Sequence, residues 1–266
     1  MLEFSKITLP SIPVAGDYTE TLTFGIAVKD SGKTVDLSKL TGGYEAQDGD
    51  ILRGTYTAKN KITVASGATV TLRQVNITGE DDSNYTWAGI TCEGDATLVL
   101  KDENTVIGFD QSYPAVYVPE GSTLIIQGNG TLNARSNGLA AGIGGGDTIS
   151  CGNIMIRSGT INAVGGTASA GIGSTRASSC GDIRIIDGTV TATGGKYAAG
   201  IGSGATASCG DITISGGTVT AHGGDYGAGI GSGYMNSSCG NITVSNTVTK
   251  VIATKKTDSA NSIGAG

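Results

Sequence analysis

The sequence predicts an all-β chain: a right-handed single-stranded parallel β-helix of about seven turns, with a repeat of about 29 residues and an N-terminal cap. Three observations predict it. From Cys151 the text repeats at Cys180, Cys209 and Cys239, at spacings of 29, 29 and 30 residues. Each copy holds three short segments in which every second residue is apolar, and such runs of four or five residues are strands, too short for helices. Gly makes up 45 of the 266 residues, as sharp corners between strands require, because Gly reaches positive φ without a Cβ clash.

In chain order, residues 1–55 carry more charge and less Gly than the rest and hold no copy of the repeat. A solenoid must cover its first open turn, so this stretch is expected to be the cap, with strands and a short helix near Leu37 to Leu40. Residues 56–266 are the repeat domain. Looser copies begin at Gly67, Gly94 and Gly121, regular ones at Cys151, Cys180 and Cys209, and a degraded one at Cys239. Each copy reads Ile-x-Ile (Ile212, Ile214), then Val-x-Ala (Val219, Ala221), then Ala-Gly-Ile-Gly (Gly229, Ile230). Stacked in register about 4.8 Å apart, these build three parallel sheets. The buried columns are then Ile154, Ile183, Ile212, Ile242 and Ile161, Val190, Val219, Val248. At the far end NSIGAG resembles the AAGIGSG turn, so a partner or further domains after Gly266 are expected to cover the last coil.

Composition removes several function classes. With 17 basic against 23 acidic side chains, net charge −6, there is no basic stripe, and no nucleic-acid partner is expected. The single histidine, His222, makes multi-His zinc sites and Ser-His-Asp chemistry hard to build on a repeat. No run approaches the ~18 apolar residues of a membrane span, so the chain is read as not membrane-spanning. Met1 to Gly16 lacks the charged start and apolar core of a signal peptide, so an export signal is expected to have been removed or to lie outside this chain.

The stretches VDLSKLTGGYEAQDGDILRG and ITVASGATVTLRQVNI, followed by CGDITISGGTVTA and AGIGSG, resemble Gly-rich parallel β-helix modules of bacterial cell-surface proteins, of the adhesin or carbohydrate-binding-domain type. The same superfold resembles the pectate-lyase class. The resemblance covers most of the chain and implies extracellular or cell-surface display and contact with carbohydrate or a host surface ligand. Its motifs carry no catalytic signature, so a non-catalytic role is expected, with a polysaccharide lyase or glycoside hydrolase as the alternative.

The aromatics ahead of the Ala-Gly-Ile segments are the candidate ligand site: Trp87, Tyr113, Tyr197 and Tyr226, with Tyr85 beside them and Leu139 and Ala168 interrupting the column. An aromatic at a polar corner offers a face to a sugar ring, or else seals the coil. Asn153, Asp182, Asp211 and Asn241 form a second column. Asp182 and Asp211 are the candidate Ca²⁺ ligands, against the rival reading that they satisfy turn amides. No other cofactor is expected. Cys151, Cys180, Cys209 and Cys239 form a third column, read as a ladder of buried free thiols because parallel in-register Cβ atoms are poorly placed for disulfides.

For the enzyme alternative, the candidate groups are Arg184, two residues from Asp182, and the acidic turn Glu80, Asp81, Asp82 with Asp110 in the next turn. His222, at a place held by Val164 and Thr193 in other copies, is expected to be an exposed structural side chain. Thr189 and Thr191, Thr218 and Thr220, Thr247 and Thr249, with Thr160 and Asn162, would form a flat outward array like the ice-binding face of some solenoids, a minor alternative.

Overall fold

The computed structural model describes residues 32–56, 58–79 and 84–266. Among them the chain is a parallel β-solenoid with strands in three sheets of 15, 9 and 3 strands. The Ile-x-Ile and Val-x-Ala segments share the largest sheet. They fuse because the strand Thr69–Thr78 runs on through the corner, its first part pairing with Ala96–Lys101 and its second with Glu103–Ile107. The Ile-Gly segments build the nine-stranded sheet, ending Ile143–Gly144, Ile172–Gly173, Ile201–Gly202, Ile230–Gly231 and Ile263–Gly264. The third sheet is made of Ser-Cys pairs, Ser179–Cys180, Ser208–Cys209 and Ser238–Cys239, which the sequence pattern did not mark as strands. No helix among the described residues is long and apolar enough to cross a membrane.

About seven turns of the repeat are stacked from Ile90 onward. The described part of the stretch expected as a cap adds further rungs: Thr34–Asp36 pairs with Ile51–Tyr56, and Tyr44–Ala46 with Ile62–Val64. Leu37–Lys39 is a 3-10 helix, started by Asp36, whose carboxylate accepts from the Ser38 N–H.

The expected columns form the core. Ile154, Ile183 and Ile212 pair in register and are fully buried, as are Ile161, Val190 and Val219. Each side chain packs on the equivalent residue of the next coil, so burial depends on stacking. One register expectation fails at the last coil. Val219 pairs with Val251, not Val248, and Thr218 and Thr220 pair with Lys250 and Ile252. The spacing there is 32 residues, as from His222 to Thr254, because the turn between Val244 and Lys250 is longer than its counterparts. Thr247 instead gives its hydroxyl to the Ser215 carbonyl (2.6 Å), so the threonine array ends at Thr218 and Thr220. In this coil Val244 and Ile263 are exposed and Ile242 and Val251 only half-buried.

The Cys-Gly-Asx motif has a mechanical explanation. The Asn153 side-chain oxygen accepts from the Asp182 N–H (2.8 Å), Asp182 from Asp211 (2.9 Å) and Asp211 from Asn241 (2.7 Å). Each Asx thus satisfies an amide at the corner of the next coil. A Cβ on Gly210 would lie 2.4 Å from the Asp182 Oδ1, so this Gly makes room for the Asx of the coil before it.

Candidate functional site

The aromatic column splits into two clusters. In the early coils Trp87 packs edge-on to Tyr85 (5.5 Å between ring centres) and against Phe109 (6.3 Å), which meets Tyr56 at the same distance. Tyr56 and Phe109 are buried, Trp87 and Tyr85 pack half-buried against the core, and the indole N–H is buried with no acceptor among the described residues. These rings pack against one another and the core. Tyr113, half-buried, belongs to neither cluster.

In the late coils Tyr197 and Tyr226 stack face to face, 5.5 Å apart at an interplanar angle of 11°. The backbone places them: the Tyr226 N–H donates to the Lys196 carbonyl, and the Tyr197 N–H to Thr167, so equivalent turns lie one above the next. Tyr234 joins them, 4.9 Å from Tyr226 and 5.7 Å from Tyr197. It comes from the loop after GIGSG, at the place held by Asp147, Arg176 and Ala205 in the preceding copies, and its N–H donates to the Tyr197 carbonyl. Reading the aromatics ahead of the Ala-Gly-Ile segments missed it; the signal available was the column Asp147, Arg176, Ala205, Tyr234 at a spacing of 29 residues.

Beside this ridge lies a groove of about 460 Å³ lined by Tyr197, Tyr234, Met235, Arg176 and Asp147. Arg176 donates two hydrogen bonds to the Asp147 carboxylate, at 2.9 and 3.2 Å, and that contact holds its guanidinium pKa above the usual value. The groove thus sets a fixed guanidinium–carboxylate pair beside aromatic faces, a few placed polar groups at the edge of an apolar surface.

Four segments, residues 124–147, 154–176, 183–205 and 212–234, match the family model of the beta helix repeat. The chain has a β-helix repeat fold. A comparison with curated proteins and with solved structures found no match. Each matched segment runs from the first long strand of its coil through the Ile-Gly strand into the following loop, so the groove and the tyrosine ridge draw on all four matched repeats: Asp147, Arg176, Tyr197 and then Tyr226 with Tyr234.

The remaining candidates fall elsewhere. The Oδ1 atoms of Asp182 and Asp211 are engaged with backbone amides of the next coil, and among the described residues no three His, Cys, Asp or Glu side chains gather as a metal site. Arg184 stands exposed between Met155 and Thr213 in its column. Asp110 is buried and accepts from the Ser112 N–H (2.7 Å), while Glu80, Asp81 and Asp82 lie outside the described residues. His222 is half-buried, with Nδ1 2.8 Å from the Thr254 hydroxyl. All five cysteines are free. Cys151, Cys180 and Cys209 are buried and Cys239 half-buried; a hydrogen bond with Cys151, then burial, raises the Cys180 pKa, and burial raises that of Cys209. Cys92 lies apart on the nine-stranded sheet, paired with Val64, where burial pushes its thiol up to about 12.

Proposed function

We propose that this chain is a non-catalytic carbohydrate-binding module, displayed on the outside of a bacterial cell, that holds glycans on the ridge of Tyr197, Tyr226 and Tyr234. The observation that carries this reading is the stacked tyrosine pair standing at the edge of a groove that also presents Arg176 and Asp147. A sugar ring on one exposed aromatic face gains on the order of 1 kcal/mol beyond its area burial, so affinity would come from several such contacts along an extended glycan. Of the aromatic candidates, Trp87 is taken up by the core contacts of the early coils, and Tyr113 stands apart. The binding role therefore rests on the late coils.

A glycan array probed with the purified chain tests the reading. The chain is expected to retain a set of oligosaccharides, and the double variant Tyr197→Ala, Tyr226→Ala to lose them by about tenfold while staying folded. Retention unchanged in the double variant would move the site elsewhere. New unsaturated or reducing ends after incubation would replace the reading with the lyase or hydrolase alternative.

A further inference from the structure

Next to Tyr197, at Lys196, the surface changes character. Tyr197 lines the groove described above, whereas Lys196 lines a second cleft, of about 550 Å³, together with Thr193, His222, Asp225, Thr254, Lys255 and Lys256. Three lysines meet two carboxylates there, Asp225 in the lining and Asp258 beside Lys255, which leaves a local excess of positive charge in a chain whose net charge is −6. A local reversal of sign in an acidic protein concentrates anions at that place.

The lysines are positioned by the corner stack. Lys256 pairs with Asp225 (2.8 Å), which lies next to the stacked Tyr226, and Lys255 pairs with Asp258 (3.1 Å). Lys196 lies over the Tyr197 ring, 5.2 Å from its centre. Ammonium groups held this way keep protons free for a ligand, since each carries three donors and no acceptor. His222 uses Nδ1 on Thr254, leaving Nε2 as the remaining polar atom of the ring. A neutral sugar has no use for this excess of cationic donors, and an anionic substituent does.

We propose that the cleft takes the carboxylate or sulfate of an acidic glycan whose neighbouring ring lies on the tyrosine ridge. The inference rests on the carbohydrate-binding reading above and narrows it to a substrate class. The Lys196–Tyr197 pair joins the two places, since Lys196 lines the cleft and its ammonium lies over the ring of Tyr197, which lines the groove, so adjacent units of one chain can satisfy both.

The test uses the full chain on an array holding matched sets of each oligosaccharide: neutral, uronate-bearing and sulfated. Wild type should retain acidic members about tenfold better than their neutral counterparts, with the preference shrinking as salt rises from 50 to 500 mM. The variant Lys255→Ser, Lys256→Ser should lose that preference and keep its neutral binding. Lys196→Gln, with both paired lysines intact, should lose part of it. Thermal unfolding of each variant should match wild type, which separates lost charge from lost fold. Preference for uronate over sulfate, or the reverse, identifies the anion. Equal retention of acidic and neutral members, or a preference that survives both lysine variants, overturns the inference and leaves the carbohydrate reading standing. No retention of any glycan by wild type overturns that reading itself, and this one with it.

Discussion

In the early coils the corner between the two long ladders is turned by Gln74 (φ 56°) and Asp102 (φ 55°), with the side chain of Asn104 fully buried behind it. In the late coils the same corner is turned by Gly159, Gly188 and Gly217, and Ile161, Val190 and Val219 fill the place of Asn104. The early coils also pack Tyr56, Trp87 and Phe109 against one another, whereas the late ones close their corners with Gly, Ser and Asx ladders. Where backbone and small polar groups close the coil, large aromatics are not needed for closure. On the proposed reading this leaves the tyrosines of the late coils for a ligand, while Trp87 packs against the core.

The largest effect expected from this contrast is on stability. Trp87→Ala empties a site packed against Phe109 and the core and should cost about 3 kcal/mol. Tyr197→Ala with Tyr226→Ala gives up one stacked pair at the surface, about 1 kcal/mol. Urea unfolding of the two variants should separate them clearly. Equal midpoints would mean that both clusters seal the coil, and the tyrosine ridge would lose its claim to a binding role.

Asn104 gives a second, smaller contrast. Its Oδ1 accepts from the Val75 N–H (2.9 Å) and its Nδ2 donates to the carbonyls of Lys101 (3.0 Å) and Thr131 (3.1 Å), so a buried polar side chain stands in for the ladder at the irregular corner. Asn104→Leu restores the volume used in later coils but strands the Val75 amide, and should cost about 2 kcal/mol. The reverse change in a regular coil, Val190→Asn, should cost at least as much, because no orphan amide awaits it there. A neutral Asn104→Leu would show that water or a shifted backbone satisfies Val75, and that the early corner does not depend on the side chain.

What the sequence made legible follows the same divide. The columns Ile154–Ile183–Ile212 and Ile161–Val190–Val219 could be read because each residue's burial depends on an equivalent one a fixed period away. Val248 and Thr247 misled because TVTKVIAT alternates equally well in two registers, and only the longer turn before Lys250 selects Val251. The Asx ladder was legible as a column, while its bond from side chain to the next coil's amide needed coordinates. Tyr234 and the pair Arg176–Asp147 escaped notice because residue type varies down their column: Asp147, Arg176, Ala205 and Tyr234 keep the 29-residue spacing but share no chemistry by which the column could be recognised. Half of the candidate site was thus visible as Tyr197 and Tyr226, and the half that makes it a groove was not.

The smallest effect concerns those variable loops. Thr206 sits in the left-handed region (φ 52°), as does Ala177 one coil earlier (φ 51°), and the Thr206 N–H donates to the Tyr234 carbonyl (2.9 Å). A β-branched residue in that conformation costs about 1 to 2 kcal/mol, which Gly would relieve, while the added freedom of the unfolded chain returns about 0.4 to 1 kcal/mol of that gain. Thr206→Gly should therefore raise stability by about 0.5 kcal/mol, a shift of one or two degrees in the melting temperature of a chain this size. The groove beside it is lined by Ala205, Tyr234 and Met235 and not by the Thr206 side chain, so glycan retention should stay as in wild type. Retention that falls while stability rises would give the strain a purpose: it would mean that the left-handed turn holds the Tyr234 ring against its two partners, and that the late coils use backbone strain to present the ligand face as well as to close the coil.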